Sequence, residues 1–188
     1  MDEMYSGRFG DNAGQAGYER RFAQLAEAIR SAPSPNAIMG SLQKGLLDVY
    51  EVEMASVFLV DAVKKQLVSW IVLPGTVLHK IRVPIDKTSI VGHAAATRSA
   101  VIVNNAYDRE ELGRIDAQLQ FDSFWDAKAG SRTRQVLAVP ILFERSLMGV
   151  IQLMNRRDGV DFTPGDVRRI ADLAEILGTA FHRLQRPA

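Results

Sequence analysis

The chain has 188 residues, 47% of them hydrophobic and 24% charged, which suits one ordinary domain with a real core and flanking helices. A formal net charge of +1 gives no global electrostatic case for binding nucleic acid or a membrane surface. The absence of cysteine excludes disulfides, thiolate nucleophiles, iron–sulfur clusters and cysteine-ligated zinc, and no apolar run approaches the roughly 18–20 residues of a membrane helix.

Residues 1–16 (MDEMYSGRFGDNAGQA) are small and polar, without the apolar core of a signal peptide. Disorder is expected there and a cytoplasmic location for the whole. Residues 17–186 then read as one domain. From Tyr18, Phe22, Leu25, Ala26 and Ile29 recur at helical spacing. Ser31-Ala-Pro-Ser-Pro breaks that helix, and Ser34 with Pro35 opens a second one whose stripe is Ile38, Leu42, Leu46 and Val49.

Strands follow. Met54–Val60 is apolar on both faces, the mark of a covered central strand, and Gln66–Leu73 reads as its antiparallel partner. Val77–Val83 alternates like an outer strand. Ile90–Thr97 is a short Ala-rich helix that Thr88 or Ser89 can cap. Ala100–Val103 is a short strand. Residues 104–131 form a long excursion, and its Phe121, Phe124 and Trp125 share one side of a helical wheel. Excursions of this length are usually functional. Thr133–Phe143 and Leu147–Asn155 form a hairpin through Glu144-Arg-Ser, with the apolar stretch Gln135–Leu142 again suited to a middle position. A final helix opens near Thr163-Pro-Gly-Asp, with the stripe Val167, Ile170, Leu173, Ala174, Leu177, Phe181 and Leu184.

This order of elements resembles the GAF domain, a small-molecule-sensing regulatory module. Ile85-Asp-Lys-Thr-Ser-Ile-Val-Gly-His-Ala-Ala looks like the family's segment leading to the pocket helix, and Gly149-Val-Ile-Gln-Leu-Met-Asn-Arg like its penultimate strand end. The resemblance covers residues 20–185. It implies an α+β fold with a central antiparallel sheet of about six strands, terminal helices packed on one face and a ligand pocket on the other. GAF domains of cyclic-nucleotide phosphodiesterases carry a spaced Asn, Lys, Phe, Asp, Glu signature. Asn155, Phe162 and Asp166 match it, Arg156 replaces the Lys, and Val167 stands in place of the Glu. In that family the signature supports the architecture beside the pocket.

The implied pocket assigns ligand contacts to Thr88, Ser89, His93, Phe121, Phe124 and Trp125. Free N–H groups at the start of the short helix suit an anionic group, and the aromatic residues suit stacking on a planar ring. Each has a plainer alternative: Thr88 and Ser89 as caps, His93 as a core histidine, the aromatics as packing. His79 and His182 read as surface residues, and three scattered histidines offer no metal site. No catalytic constellation appears, so the chain reads as a non-enzyme.

The first and last helices are amphipathic, with Ala171, Ala174, Gly178 and Ala180 permitting close helix approach. Similarity to GAF sensors implies a homodimer through these helices and an output domain or signalling partner beyond them, with neither nucleic acid nor membrane insertion. The expected function is binding of a small molecule, a nucleotide or cyclic nucleotide above all, with the signal passed through the terminal helices. The alternative is a ligand-free scaffold for dimerisation or docking.

Overall fold

The computed structural model describes residues 7–74 and 80–185, with side chains placed from residue 14 onward except those of Ile71, Val72, Trp125, Lys128 and Ala129. In chain order the elements are α1 (Gly7–Arg30), α2 (Pro35–Tyr50), β1 (Val52–Asp61), β2 (Gln66–Leu73), β3 (Arg82–Pro84), α3 (Ile90–Thr97), β4 (Val101–Val103), α4 (Arg109–Ile115), α5 (Phe124–Ala129), β5 (Val136–Phe143), β6 (Ser146–Arg156) and α6 (Pro164–Gln185). The six strands form one antiparallel sheet in the order β3-β2-β1-β6-β5-β4.

Two separate cores lie on the two faces of that sheet, and strand alternation assigns residues to each. On one face Ala55, Val57, Leu137, Val139, Ile141, Ile151 and Leu153 pack under the stripes of α1, α2 and α6. Ile38, Leu42, Leu46 and Val49 of α2 are all buried, as their spacing predicts. So are Ile170, Leu173, Ala174, Leu177 and Phe181 of α6. The opposite face turns Phe58, Val136, Ala138, Val150 and Met154 toward α3, α4 and the excursion.

Several boundaries move. The first helix starts at Gly7 rather than near Tyr18, so the expected disorder of residues 1–16 does not extend over Gly7–Ala16. Two anchors support the added turns: Gln15 donates to Glu19 one turn on, and Arg169 of α6 donates to Gln15 Oε1 at 2.9 Å. Residues 1–6 lie outside the described residues. Among the described residues the outer strand is Arg82–Pro84, and Ile81 just before it exchanges two bonds with Ser69, its carbonyl accepting from Ser69 N and its N–H donating to Ser69 Oγ, each at 2.8 Å. Val77, Leu78 and His79 lie outside the described residues. The sheet centre is the β1–β6 pair, and β5 sits one place outward, next to the short edge strand β4. His182 is half-buried, stacked on Phe143 with ring centroids 3.8 Å apart.

Glycine sets how closely α6 lies on the sheet. A Cβ built at Gly178 would stand 2.1 Å from the Leu142 carbonyl oxygen of β5, a backbone atom with no freedom to yield. Gly178→Ala therefore lifts α6 off β5, and we expect a loss of about 3 kcal/mol. Gly113 in α4 faces open space, so Gly113→Ala should instead stabilise by about 0.5–1 kcal/mol. Urea midpoints at unchanged m check both signs; equal effects would contradict this packing.

Candidate functional site

A cavity of about 330 Å³ opens on the sheet face opposite the terminal helices. Its floor is Met54, Ser56 and Phe58 of β1 with Gln152 and Met154 of β6. Ile81–Pro84 forms one wall, Ser89–Val91 of the α3 entry another, and Gln120–Asp122, Asp126, Ser131 and Thr133 the excursion side.

The α3 entry is built by local chemistry. Asp86 Oδ1 accepts from both Thr88 N (2.9 Å) and Thr88 Oγ1 (2.7 Å), turning the chain so that Ser89 caps the helix by accepting from Gly92 N at 3.0 Å. Gly92 is required there, since a Cβ would meet the Pro84 carbonyl oxygen at 2.6 Å and that of Asp86 at 2.9 Å. The first-turn N–H groups of Ile90 and Val91 lack intrahelical acceptors and belong to cavity-lining residues.

The excursion is held down by one buried carboxylate. Asp126 of α5 is 7% exposed and accepts from Thr133 N (2.6 Å), Thr133 Oγ1 (2.7 Å) and Tyr107 Oη (2.8 Å). The hydrogen bond to Asp126 holds the Tyr107 hydroxyl above its usual pKa. Tyr107 in turn meets Phe121 edge-on at 5.2 Å and carries Arg132 over its ring at 4.6 Å. Gln120 N donates to Thr88 O at 2.9 Å, which ties the excursion to the α3 entry.

Of the six residues expected at the ligand, Ser89 and Phe121 line the cavity. Thr88 stands beside it on the surface, its hydroxyl committed to Asp86. His93 is buried one turn into α3, off the cavity wall, with Nε2 3.7 Å from Asp116 Oδ2, a carboxylate that also meets Lys87 Nζ at 3.1 Å. Phe124 is 58% exposed, and the Trp125 side chain lies outside the described residues.

Sequence reasoning missed the cavity floor. Ser56 and Gln152 are cross-strand partners in the β1–β6 register, and both face the cavity. Ser56 is 4% exposed, and among the described residues neither side chain has a hydrogen-bond partner. The signal was present as the single polar interruption on the inner face of each apolar run, MASVFLV and GVIQLMN. Among the described residues no group of three His, Asp or Glu side chains is arranged to hold a metal ion.

The signature residues run from the end of β6 to the first turn of α6, away from the cavity walls. Asn155 is 2% exposed in the left-handed region (φ 56°). Its Oδ1 accepts from Arg134 N (2.7 Å) and Gln135 N (3.2 Å), and its Nδ2 donates to Glu53 Oε2 and Arg132 O, each at 2.8 Å. Arg156 Nη1 reaches both oxygens of Asp166, at 3.1 and 3.0 Å, while Asp166 Oδ2 also accepts from Thr163 N at 2.8 Å at the start of α6. Phe162 is buried in the core beneath the terminal helices.

Removing the Asp126 carboxylate strands three donors at once. We expect Asp126→Ala to cost about 2–4 kcal/mol and to speed amide exchange through residues 120–133. Unchanged exchange there would show that the excursion is held by other contacts.

No described helix is long and apolar enough to cross a membrane. Residues 32–182 match the family model of the GAF domain. A probable 3',5'-cyclic phosphodiesterase of Caenorhabditis elegans is 29% identical over 160 residues, which is 79% of this chain but 20% of the worm protein. The chain thus spans about a fifth of that relative's length. Among solved structures, the GAF domain of a phosphoenolpyruvate-protein phosphotransferase from Coxiella burnetii superimposes with a TM-score of 0.70 at 14% identity, covering 88% of this chain and 93% of that one. A free methionine-R-sulfoxide reductase from Neisseria meningitidis, solved with its substrate, gives 0.69 at 18% identity, covering 89% and 90%. The fold is therefore shared by a domain of a phosphotransferase and by a sulfoxide reductase. The sheet order, the α3 entry, the Asn155 turn and the matched family model agree, and this chain belongs to the GAF domain family.

Proposed function

We propose that this GAF domain senses a small planar molecule of the nucleotide class, held without chemical conversion in the cavity on the sheet face. The observation that carries this reading is the Ser56–Gln152 pair. Both side chains present their polar groups to the open cavity without a protein partner, and an apolar pair would serve a mere core better. A ligand edge with its own donors and acceptors completes this pair. Phe58 and Phe121 offer apolar and aromatic surface to a ring, and the first-turn amide of Val91 with Arg82 at the rim suits a phosphate. The volume falls at the low end of small-molecule pockets. Sequence similarity to a phosphodiesterase points in the same direction.

Transmission runs along β6. The strand carries Gln152 and Met154 under the cavity and, without interruption, Asn155 and Arg156 into the contact with α6. A ligand that prefers one arrangement of β6 over another shifts α6 by that difference in affinity and no more. The groove between α1 and α6, with Phe22, Ile176 and Ala180 framed by Arg30, Asp172, Glu175 and Arg183, is where a second copy of the chain would pack. An output partner would read the same helices.

Thermal melts against cyclic AMP, cyclic GMP and cyclic di-GMP test the ligand. A true ligand at a hundred times its Kd adds about 2.7 kcal/mol, or roughly 5–10 °C for a domain of this size. The double substitution Ser56→Ala with Gln152→Leu should leave the unliganded melting temperature equal or higher while abolishing that shift. If no compound raises the melting temperature and Gln152→Leu is destabilising, the floor is structural and the domain is a scaffold.

A further inference from the structure

The groove between α1 and α6, of about 570 Å³, has its charges sorted along its length. Arg169 donates to Gln15 near one end and Arg183 donates to the Ala32 carbonyl near the other, so the two helices run in the same direction. The carboxylates of Asp172 and Glu175 on α6 lie in the first half of this pair. The guanidiniums of Arg183 on α6 and Arg30 on α1 lie in the second. Phe22 and Ile176, both half-buried, and Thr179 occupy the middle.

Among the described residues Arg30, Asp172, Glu175 and Arg183 form no ion pair, and all four are exposed. Glu175 and Arg183 cannot meet within one copy, because they stand about 12 Å apart along the same helix. Their neighbours do not cancel them. Arg168 and Arg169, a turn before Asp172, lie outside the groove and make no ion pair with it; Arg169 is turned to Gln15 and to the Tyr18 ring. Outside the groove on α1, the exposed Arg20 and Glu27 balance each other.

A second copy can face this groove about a two-fold axis in two ways. Set parallel, each α6 faces the other copy's α1 at the same level. Glu19 and Asp172 share one level, a turn beyond the Gln15–Arg169 contact, and Arg30 and Arg183 share another beside Ala32. Asp172 then meets the partner's Glu19, and Arg183 meets the partner's Arg30, so like charges oppose at both ends. Set antiparallel, α6 crosses its own copy head to tail about Thr179, midway between Glu175 and Arg183. Glu175 then meets the partner's Arg183, the axis repeats that pair, and the apolar middle is buried between the copies. Resting on the proposed packing of a second copy in this groove, we infer that it binds there in the antiparallel sense. A shift of α6 against the sheet in one copy then bears directly on α6 of the other.

The chain has no cysteine, so Ala16→Cys and Ala28→Cys each carry a single nitroxide label, at exposed positions of α1 outside the groove. Ala28 is level with Thr179, four residues back from the Ala32–Arg183 contact on each helix, whereas Ala16 lies about 18 Å further along α1. Pulsed electron spin resonance between copies should give a distance at residue 16 longer than that at residue 28 by about 15 Å or more. Glu175→Arg and Arg183→Glu should each raise the dimer Kd about tenfold or more, since symmetry applies each change twice. The double swap should return it to within about threefold of the parent value. A dimer whose two label distances agree within about 5 Å, or a double swap that fails to rescue, overturns the antiparallel pairing and leaves the dimer itself standing. A chain that stays monomeric by light scattering at about 1 mM overturns both.

Discussion

The side chain of Asn155 is the constraint on which the rest of the structure depends. An asparagine amide has two donors and two acceptor positions, and here all four are used within a nearly water-free site. One half holds the chain entering β5, and the other holds Glu53 of β1 and the carbonyl of Arg132. The residue adopts the left-handed conformation that asparagine tolerates better than most side chains, and so it turns β6 toward α6. The next residue, Arg156, spends that turn on Asp166. Gln135 adds a second layer, accepting from Arg156 N and donating to Val160 O and Asp161 Oδ1. The end of the excursion, the sheet centre and the last helix therefore meet at one position.

This arrangement explains why the family signature reads as architecture rather than as ligand contact. Asn155, Phe162 and Asp166 hold the two faces of the sheet in relation to each other. Arg156, in place of the signature's lysine, pairs with Asp166 and with a second carboxylate, Asp158, whose pKa the arginine holds below the usual range. Val167 in place of the glutamate rests half-buried against the core, so that position contributes packing instead of charge.

The fold was largely legible in the sequence because its signals were periodic. The α2 and α6 stripes, the bounds of Gln66–Leu73 and Ile90–Thr97 and the covered character of Met54–Val60 all follow from side-chain spacing. The site was less legible, for three physical reasons. Thr88, Ser89 and His93 are adjacent in sequence, yet a helix start sends their side chains to different places: an aspartate, a cap and the interior. Phe121 and Phe124 share a helical wheel only if both lie in one helix, whereas α5 begins at Phe124 and leaves Phe121 in the preceding loop. Ser56 and Gln152 lie far apart in the chain and become neighbours only through strand register. An interrupted apolar run carries that information weakly until the partner strand is known.

Amide hydrogen exchange in Asn155→Ala shows whether this one side chain joins the excursion to α6. Protection should fall together in residues 124–135 and in the first two turns of α6, by about tenfold or more, while the β1–β6 ladder stays protected. Loss confined to one of those segments, or spread evenly over the sheet, would contradict the assignment of Asn155 as the point that joins them.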